Sequence, residues 1–121
     1  MSKVVLITGA SSGIGKAAAE FLSAKGLKVY GTGRNPKKND NNGYSLIALD
    51  VTKPETITLA INLILEKEGR LDVLVNNAGM GITGPIEDTP TNEMRKVFET
   101  NFFGAIDMMK AVMPQMRKQQ S

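Results

Sequence analysis

Apolar positions near the start of the chain form an unbroken run, Val4-Val5-Leu6-Ile7, and Lys3 to Thr8 around it reads as a buried strand. Beyond the next glycines, Ala17, Ala18, Phe21 and Leu22 recur at helical spacing up to Gly26, a natural helix stop. Leu27 to Gly33 reads as a second strand, Arg34 to Tyr44 as a polar surface loop rich in Asn, Lys and Gly, and Leu46 to Leu49 as a short third strand. Thr52-Lys53-Pro54-Glu55 has the form of a capping box, with Thr52 at the N-cap and Glu55 three residues later. Ile57, Ile61 and Ile64 then give the next helix its buried stripe. Leu71 to Asn76 is the fourth strand, Asn77 to Pro90 a loop containing Gly and Pro, and Thr91 to Gln119 a long helical region that Pro114 is expected to bend.

Helices that alternate with β-rich runs imply an α/β chain with a parallel sheet covered on its faces. Right-handed crossovers place the strands in the order 3-2-1-4 of a doubly wound sheet. There is no internal repeat, low-complexity tract or linker, so residues 1–121 read as one domain.

Composition removes several function classes. Fifteen basic against 12 acidic residues is too mild a balance to imply a nucleic-acid partner. With no Cys and no His, there is no disulfide, thiolate nucleophile, histidine-based triad, or Cys- or imidazole-ligated metal site. The N-terminal apolar run is far shorter than a signal-peptide core, and no stretch approaches the roughly 20 residues of a spanning helix. The expectation is a soluble, cytoplasmic chain with neither membrane nor nucleic acid as partner.

The first turn carries the chemistry. Gly9, Gly13 and Gly15 end a strand and open a helix, which brings free backbone N–H groups and the positive end of the helix dipole to one spot. That arrangement suits a pyrophosphate, although the spacing is G-x-x-x-G-x-G and differs from the generic G-x-G-x-x-G. Ser11 and Ser12 add hydroxyls, with Ser12 at the N-cap position. A purely structural turn is the alternative. Its place between strand and helix favours nucleotide binding, making residues 1–121 a dinucleotide-binding (Rossmann-type) domain.

Thr8-Gly9-Ala10-Ser11-Ser12-Gly13-Ile14-Gly15, together with Asn76-Asn77-Ala78-Gly79 after the fourth strand, resembles the short-chain dehydrogenase/reductase family, whose members use NAD(H) or NADP(H). The resemblance covers the whole chain but only the N-terminal part of the family's pattern. It implies contacts with the cofactor from Gly9, Ser11, Ser12, Gly13, Ile14 and Gly15. It also implies contact between Asp50-Val51 and the adenine, and it lays Asn77, Ala78 and Gly79 along the cofactor. Asp50 has an alternative role in starting the next helix. Asn76 is expected to hold neighbouring strands together, and a structural role for all of Asn76 to Gly79 stays open.

The choice of nucleotide rests on the residues just after the second strand. An acid about 20 residues past the glycines would bond the NAD ribose, whereas a cation there favours the 2′-phosphate of NADP. No acid lies between Glu20 and Asp40, and Arg34 is placed to clamp a phosphate, with Lys37 and Lys38 adding positive potential. NADP(H) is therefore preferred and NAD(H) possible, the alternative being that these cations form a solvated loop.

In the family, hydride transfer to a carbonyl is completed by a Tyr whose pKa is lowered by a Lys four residues on. Tyr30 is followed at that spacing by Arg34 and Tyr44 by Ala48, so neither matches. The family's catalytic Ser would lie on a later strand. The one catalytic-site residue the resemblance assigns here is Asn101, in Glu99-Thr100-Asn101-Phe102-Phe103-Gly104, which would hold a water of the proton relay. A helix-interior Asn bonding its own backbone is the alternative.

A sheet that stops at its fourth strand leaves an unpaired edge, and the last helix carries a large apolar load in Met108, Met109, Val112, Met113 and Met116. Such a stripe is more often core or subunit contact than a cofactor box. The expectation is the N-terminal part of a longer single-domain oxidoreductase, truncated before the later strands. It would act on a small-molecule carbonyl or alcohol as a homo-oligomer, with the 121-residue chain inactive by itself. The alternative is a non-catalytic NADP(H)-binding sensor or interaction module.

Overall fold

A computed structural model describes residues 2–10, 13–33, 43–77 and 91–119. Strand β1 (Val4–Ile7) lies between β2 (Lys28–Gly33) and β4 (Val73–Val75), and β3 (Ser45–Ala48) pairs with the far side of β2. All pairings are parallel and the order is β3-β2-β1-β4, as the crossover argument requires. Register sets Val4 opposite Lys28 and Val5 opposite Val73. Helix α1 (Gly13–Ala24) links β1 to β2, and α2 (Pro54–Glu68) links β3 to β4. After β4 come α3 (Thr91–Phe98), a π-helical turn (Glu99–Phe103) and α4 (Gly104–Gln119).

The unbroken apolar run of β1 follows from burial on both faces. Val4 and Leu6 enter a core with Tyr30, with Ile57, Ile61 and Ile64 of α2, and with Met108 and Val112 of α4. Val5 and Ile7 enter a second core with Ala19 of α1, Val29 and Tyr44. Each β1 side chain is no more than 2 % exposed, and burial of such a side chain contributes about 1.5–3 kcal/mol.

The elements match the expected order but differ at their ends. Hydrogen-bonded pairing of β4 covers Val73–Val75 rather than Leu71 to Asn76, and Leu71 is held by a side chain instead. The Leu71 N–H donates to Gln119 Oε1 at 2.8 Å, and Gln119 Nε2 donates to the Leu71 carbonyl at 3.0 Å. The capping box at Thr52 does not form. Pro54 occupies the first turn of α2, Lys53 is the N-cap without a side-chain cap bond, and the Thr52 hydroxyl donates instead to Asp50 Oδ1 at 2.6 Å. A proline at the start of a helix already lacks its N–H, so the boundary moves one residue along.

The long C-terminal helical region is interrupted ahead of Gly104 by the π turn, while α4 continues through Pro114. A Cβ at Gly104 would collide with the Val51 side chain, so the missing side chain lets α4 sit against the residues just after β3. The methionine stripe divides accordingly. Met108 and Val112 are buried and Met116 packs against the same core, whereas Met109 and Met113 are 45 % and 47 % exposed. Among the described residues, β4 forms one edge of the sheet and no helix is long and apolar enough to cross a membrane.

Candidate dinucleotide-binding site

The C-terminal ends of β1, β3 and β4 lead into Gly9, Asp50 and Asn77, three of the residues that the sequence singled out. Gly9 and Gly13 have φ of 68° and 62°, the left-handed region that glycine adopts without steric cost. Gly15, in the first turn of α1, has a different reason. A Cβ there would land on the Gly9 carbonyl oxygen and the Asn77 side-chain amide, so strand end and helix start approach as closely as backbone allows.

Strands on both sides fix this loop. Toward β4, the Thr8 N–H donates to the Val75 carbonyl at 3.0 Å and the Thr8 hydroxyl accepts the Asn77 N–H at 2.9 Å. The Asn77 side-chain amide donates to the Gly9 carbonyl at 3.0 Å. Toward β2, the Gly9 N–H donates to the Thr32 hydroxyl at 3.3 Å and the Ala10 N–H to the Thr32 carbonyl at 2.8 Å. Thr8 and Thr32 are buried polar side chains; Thr8 opens the glycine motif, whereas Thr32 lies outside both sequence motifs. Thr8 directly follows β1, and Thr32 is the last residue but one of β2.

Tethered this way, the loop leads into the N-terminal end of α1, the positive end of its dipole. Among the described residues, nothing beyond its chain neighbours and its own helix lies within 4 Å of a Cβ built on Gly13, and the neighbouring Ile14 is 82 % exposed. Left-handed glycines and a helix start at the end of a parallel strand fit a pyrophosphate. Ser11, Ser12, Arg34, Lys37, Lys38, Ala78 and Gly79 lie outside the described residues.

Asp50 and Val51 come after β3 at the same end of the sheet and face different ways. Asp50 Oδ1 accepts the Thr52 N–H at 2.9 Å as well as its hydroxyl, while the Thr56 hydroxyl accepts the Asp50 N–H at 2.9 Å. Val51 is 5 % exposed and packs in the core against Gly104, which leaves its main chain as the part able to meet a ligand. Asn76 departs from expectation: its amide donates to the Ala105 carbonyl of α4 at 3.4 Å, and Asn77 makes the strand-to-strand link instead. Asn101 sits exposed in the π turn just before this start of α4, a departure from regular helix of the kind often found at functional sites.

Both tyrosine hydroxyls are engaged within the fold. Tyr30 donates to Glu68 Oε2 at 2.5 Å, at the C-terminal end of α2, and Tyr44 donates to the Ala10 carbonyl at 2.9 Å. Burial, then the Glu68 hydrogen bond and charge, pushes the Tyr30 phenol up to about 12, opposite to the shift a proton-donating tyrosine needs. Just before β4, Arg70 grips Asp72 through Nε–Oδ2 at 2.8 Å and Nη2–Oδ1 at 2.6 Å, and the Val4 N–H donates to Oδ2 at 2.8 Å. The Arg70 guanidinium foremost, with that N–H, holds the Asp72 carboxyl below the usual range. The pair locks β4 to β1 away from the glycine loop.

Comparison with known proteins agrees with this geometry. The chain is 47% identical over 116 residues to a 3-ketodihydrosphingosine reductase of Bacteroides thetaiotaomicron, covering 96% of this chain and 43% of that protein. A short-chain dehydrogenase from Streptomyces avermitilis superposes with a TM-score of 0.92 at 42% identity, over 100% of this chain and 47% of that one. ElxO, solved with NADP bound, superposes with a TM-score of 0.89 at 37% identity, over 98% of this chain and 52% of that one. The chain thus spans about half the length of these proteins or less. Residues 3–121 match the family model for short chain dehydrogenase, and the chain belongs to that family.

Proposed function

We propose that the chain is the cofactor-binding N-terminal part of an NADP(H)-dependent oxidoreductase that reduces a carbonyl or oxidises the corresponding secondary alcohol. The observation that carries this reading is the glycine loop, pinned by Thr8, Thr32 and Asn77 at the point where β1 leads into the N-terminus of α1. Membership of the short chain dehydrogenase family and likeness to a structure with NADP bound support a nicotinamide cofactor of either kind. The finer preference rests on Arg34 and on the absence of an acid between Glu20 and Asp40.

In this reading Gly9, Ser11, Ser12, Gly13, Ile14 and Gly15 take the pyrophosphate and Arg34 takes the 2′-phosphate. Asp50 and the Val51 main chain flank the adenine, while Asn77, Ala78 and Gly79 line the cofactor's path. Asn101 holds a water of the proton relay. The bound cofactor supplies or accepts the hydride, and the proton donor comes from residues beyond these 121. The setting is a cytoplasmic homo-oligomer, with a small carbonyl or alcohol as substrate. The similarity to a named ketone reductase supports that substrate class.

Fluorescence titration of the whole protein with NADPH and NADH tests the reading. Arg34→Ala is expected to weaken NADPH by about tenfold or more, the scale of a charge-assisted hydrogen bond, and NADH little. Equal losses for the two would overturn the 2′-phosphate assignment. The purified 121-residue chain is expected to reduce no ketone, and appreciable turnover would show that the proton donor has been misassigned.

One observation favours a second reading, a non-catalytic NADP(H)-binding module: neither tyrosine has a lysine four residues on, and both hydroxyls are bound internally. The intact mass of the protein captured from its own cells separates the two. A mass about twice that of this chain favours the enzyme, and a mass equal to it favours the module.

A further inference from the structure

The second core contains an aromatic side chain that sequence patterning places at the end of a polar loop. Tyr44 directly precedes β3 and is 3 % exposed. Its hydroxyl donates to the carbonyl of Ala10, within the glycine loop, at 2.9 Å. The ring reaches that loop across β2 at Gly31, where a Cβ would collide with the Ala10 side chain and stand 3.1 Å from Tyr44 Cε2. Gly31 thus keeps Tyr44 and Ala10 in direct contact. The preceding residue is anchored at the other end of α1, where the Ser23 hydroxyl donates to the Gly43 carbonyl at 2.5 Å. Consecutive residues Gly43 and Tyr44 therefore tie the C-terminal end of α1 and the glycine loop that precedes it.

We propose that Tyr44 is a positioning residue for the dinucleotide, its hydroxyl bracing the glycine loop from beneath while the Gly31 gap lets the ring pass. The proposal rests on the nucleotide reading above and extends it to residues outside both sequence motifs. The Ala10 N–H is already held by the Thr32 carbonyl at 2.8 Å, so the Tyr44 bond fixes the next peptide group, immediately before the residues that would meet phosphate. A brace at this point acts on the pyrophosphate, common to NADPH and NADH. It is blind to the 2′-phosphate.

The test uses the whole protein with Tyr44→Phe, which keeps the ring and removes the hydroxyl. Both NADPH and NADH are expected to bind about fivefold more weakly, the size of one neutral hydrogen bond. Their affinity ratio and the kcat at saturating cofactor should stay unchanged, with the loss confined to KM for the cofactor. Ser23→Ala, which removes the tie at the C-terminal end of α1 without touching the loop, is expected to lower Tm yet leave cofactor affinity intact. Unchanged affinity in Tyr44→Phe would overturn the brace, as would an equal affinity loss in Ser23→Ala, since that would mark a general stability effect. Failure of the unsubstituted protein to bind either dinucleotide would overturn the nucleotide reading itself and the brace with it.

Discussion

The Thr8 hydroxyl accepts the main-chain N–H of Asn77 at 2.9 Å, joining the ends of β1 and β4 at a position where Thr8 is 1 % exposed. With Thr8 buried, little room is left for water to replace that acceptor. Thr8→Val keeps the branched shape and leaves the N–H unpaired, a change that costs about 1–3 kcal/mol. Denaturant unfolding is expected to report a loss in that range for Thr8→Val and a much smaller one for Thr8→Ser. Equal stability of Thr8→Val and the unsubstituted protein would show that the tether carries no weight.

Gly13 and Gly15 are expected to respond to alanine for separate reasons. At Gly13 there is room for a methyl group, and the cost is the left-handed backbone at φ 62°, roughly 1–2 kcal/mol. At Gly15 the backbone is helical, but the methyl would strike the Gly9 carbonyl and the Asn77 amide, so the loop itself must move. Overpacking of this kind typically costs about 1–3 kcal/mol. Gly15→Ala should therefore lose dinucleotide binding as well as stability. If it bound cofactor normally, the close approach of strand end and helix would be irrelevant to the site.

The Gly104 and Val51 contact lends itself to a double-mutant cycle. Gly104→Ala pushes a methyl group into the Val51 side chain and is expected to destabilise by about 1–3 kcal/mol. Val51→Ala removes the obstacle while opening space in the core. The two changes together should cost less than the sum of their separate effects, because each relieves the other. Strict additivity would mean that α4 shifts away from β3 freely and that the π turn leaves its position loosely set.

The architecture was legible because β1 and the stripe Ile57, Ile61 and Ile64 are local patterns that report burial on one or both faces of an element. The strand order followed from handedness. What stayed hidden depends on partners distant in the chain. Tyr44 looked like the end of a polar loop because its partner Ala10 lies 34 residues away. The Thr52 capping box failed because Pro54 at the next turn competes for the helix start. Nothing in Glu99 to Phe103 announces a π turn, although Gly104 inside a helical run signals the close packing behind it. The glycine loop of the candidate site was legible as a motif, Thr8 included, but its hold from Thr32 across β2 was not.

Asp72 makes a testable link between pH and stability. Its folded pKa is depressed, first by Arg70 and also by the Val4 N–H, so its contribution is complete above the unfolded value of about 3.9. That contribution is lost as pH falls from there through the lower folded value. Asp72→Asn should be less stable than the unsubstituted protein at neutral pH, because Arg70 and the Val4 N–H lose a charged acceptor. The gap should close in acid below about pH 3.9. A gap that persisted unchanged at the lowest pH would assign the effect to packing and remove the carboxylate's charge from the account.

Tyr30 shifts in the other direction. Burial foremost, reinforced by the Glu68 carboxylate that accepts its proton, raises the phenol to about 12. A raised pKa contributes stability that is complete below the unfolded value of about 10 and is lost as pH climbs through the folded value. Alkaline absorbance titration should therefore show a phenol ionising at about 12, and Tyr30→Phe should remove that step. The variant should also show a shallower loss of stability between about pH 10 and the folded value. Ionisation of Tyr30 at or below about 10 would break the proposed hold of Glu68 on its hydroxyl, and would reopen this tyrosine as a proton donor.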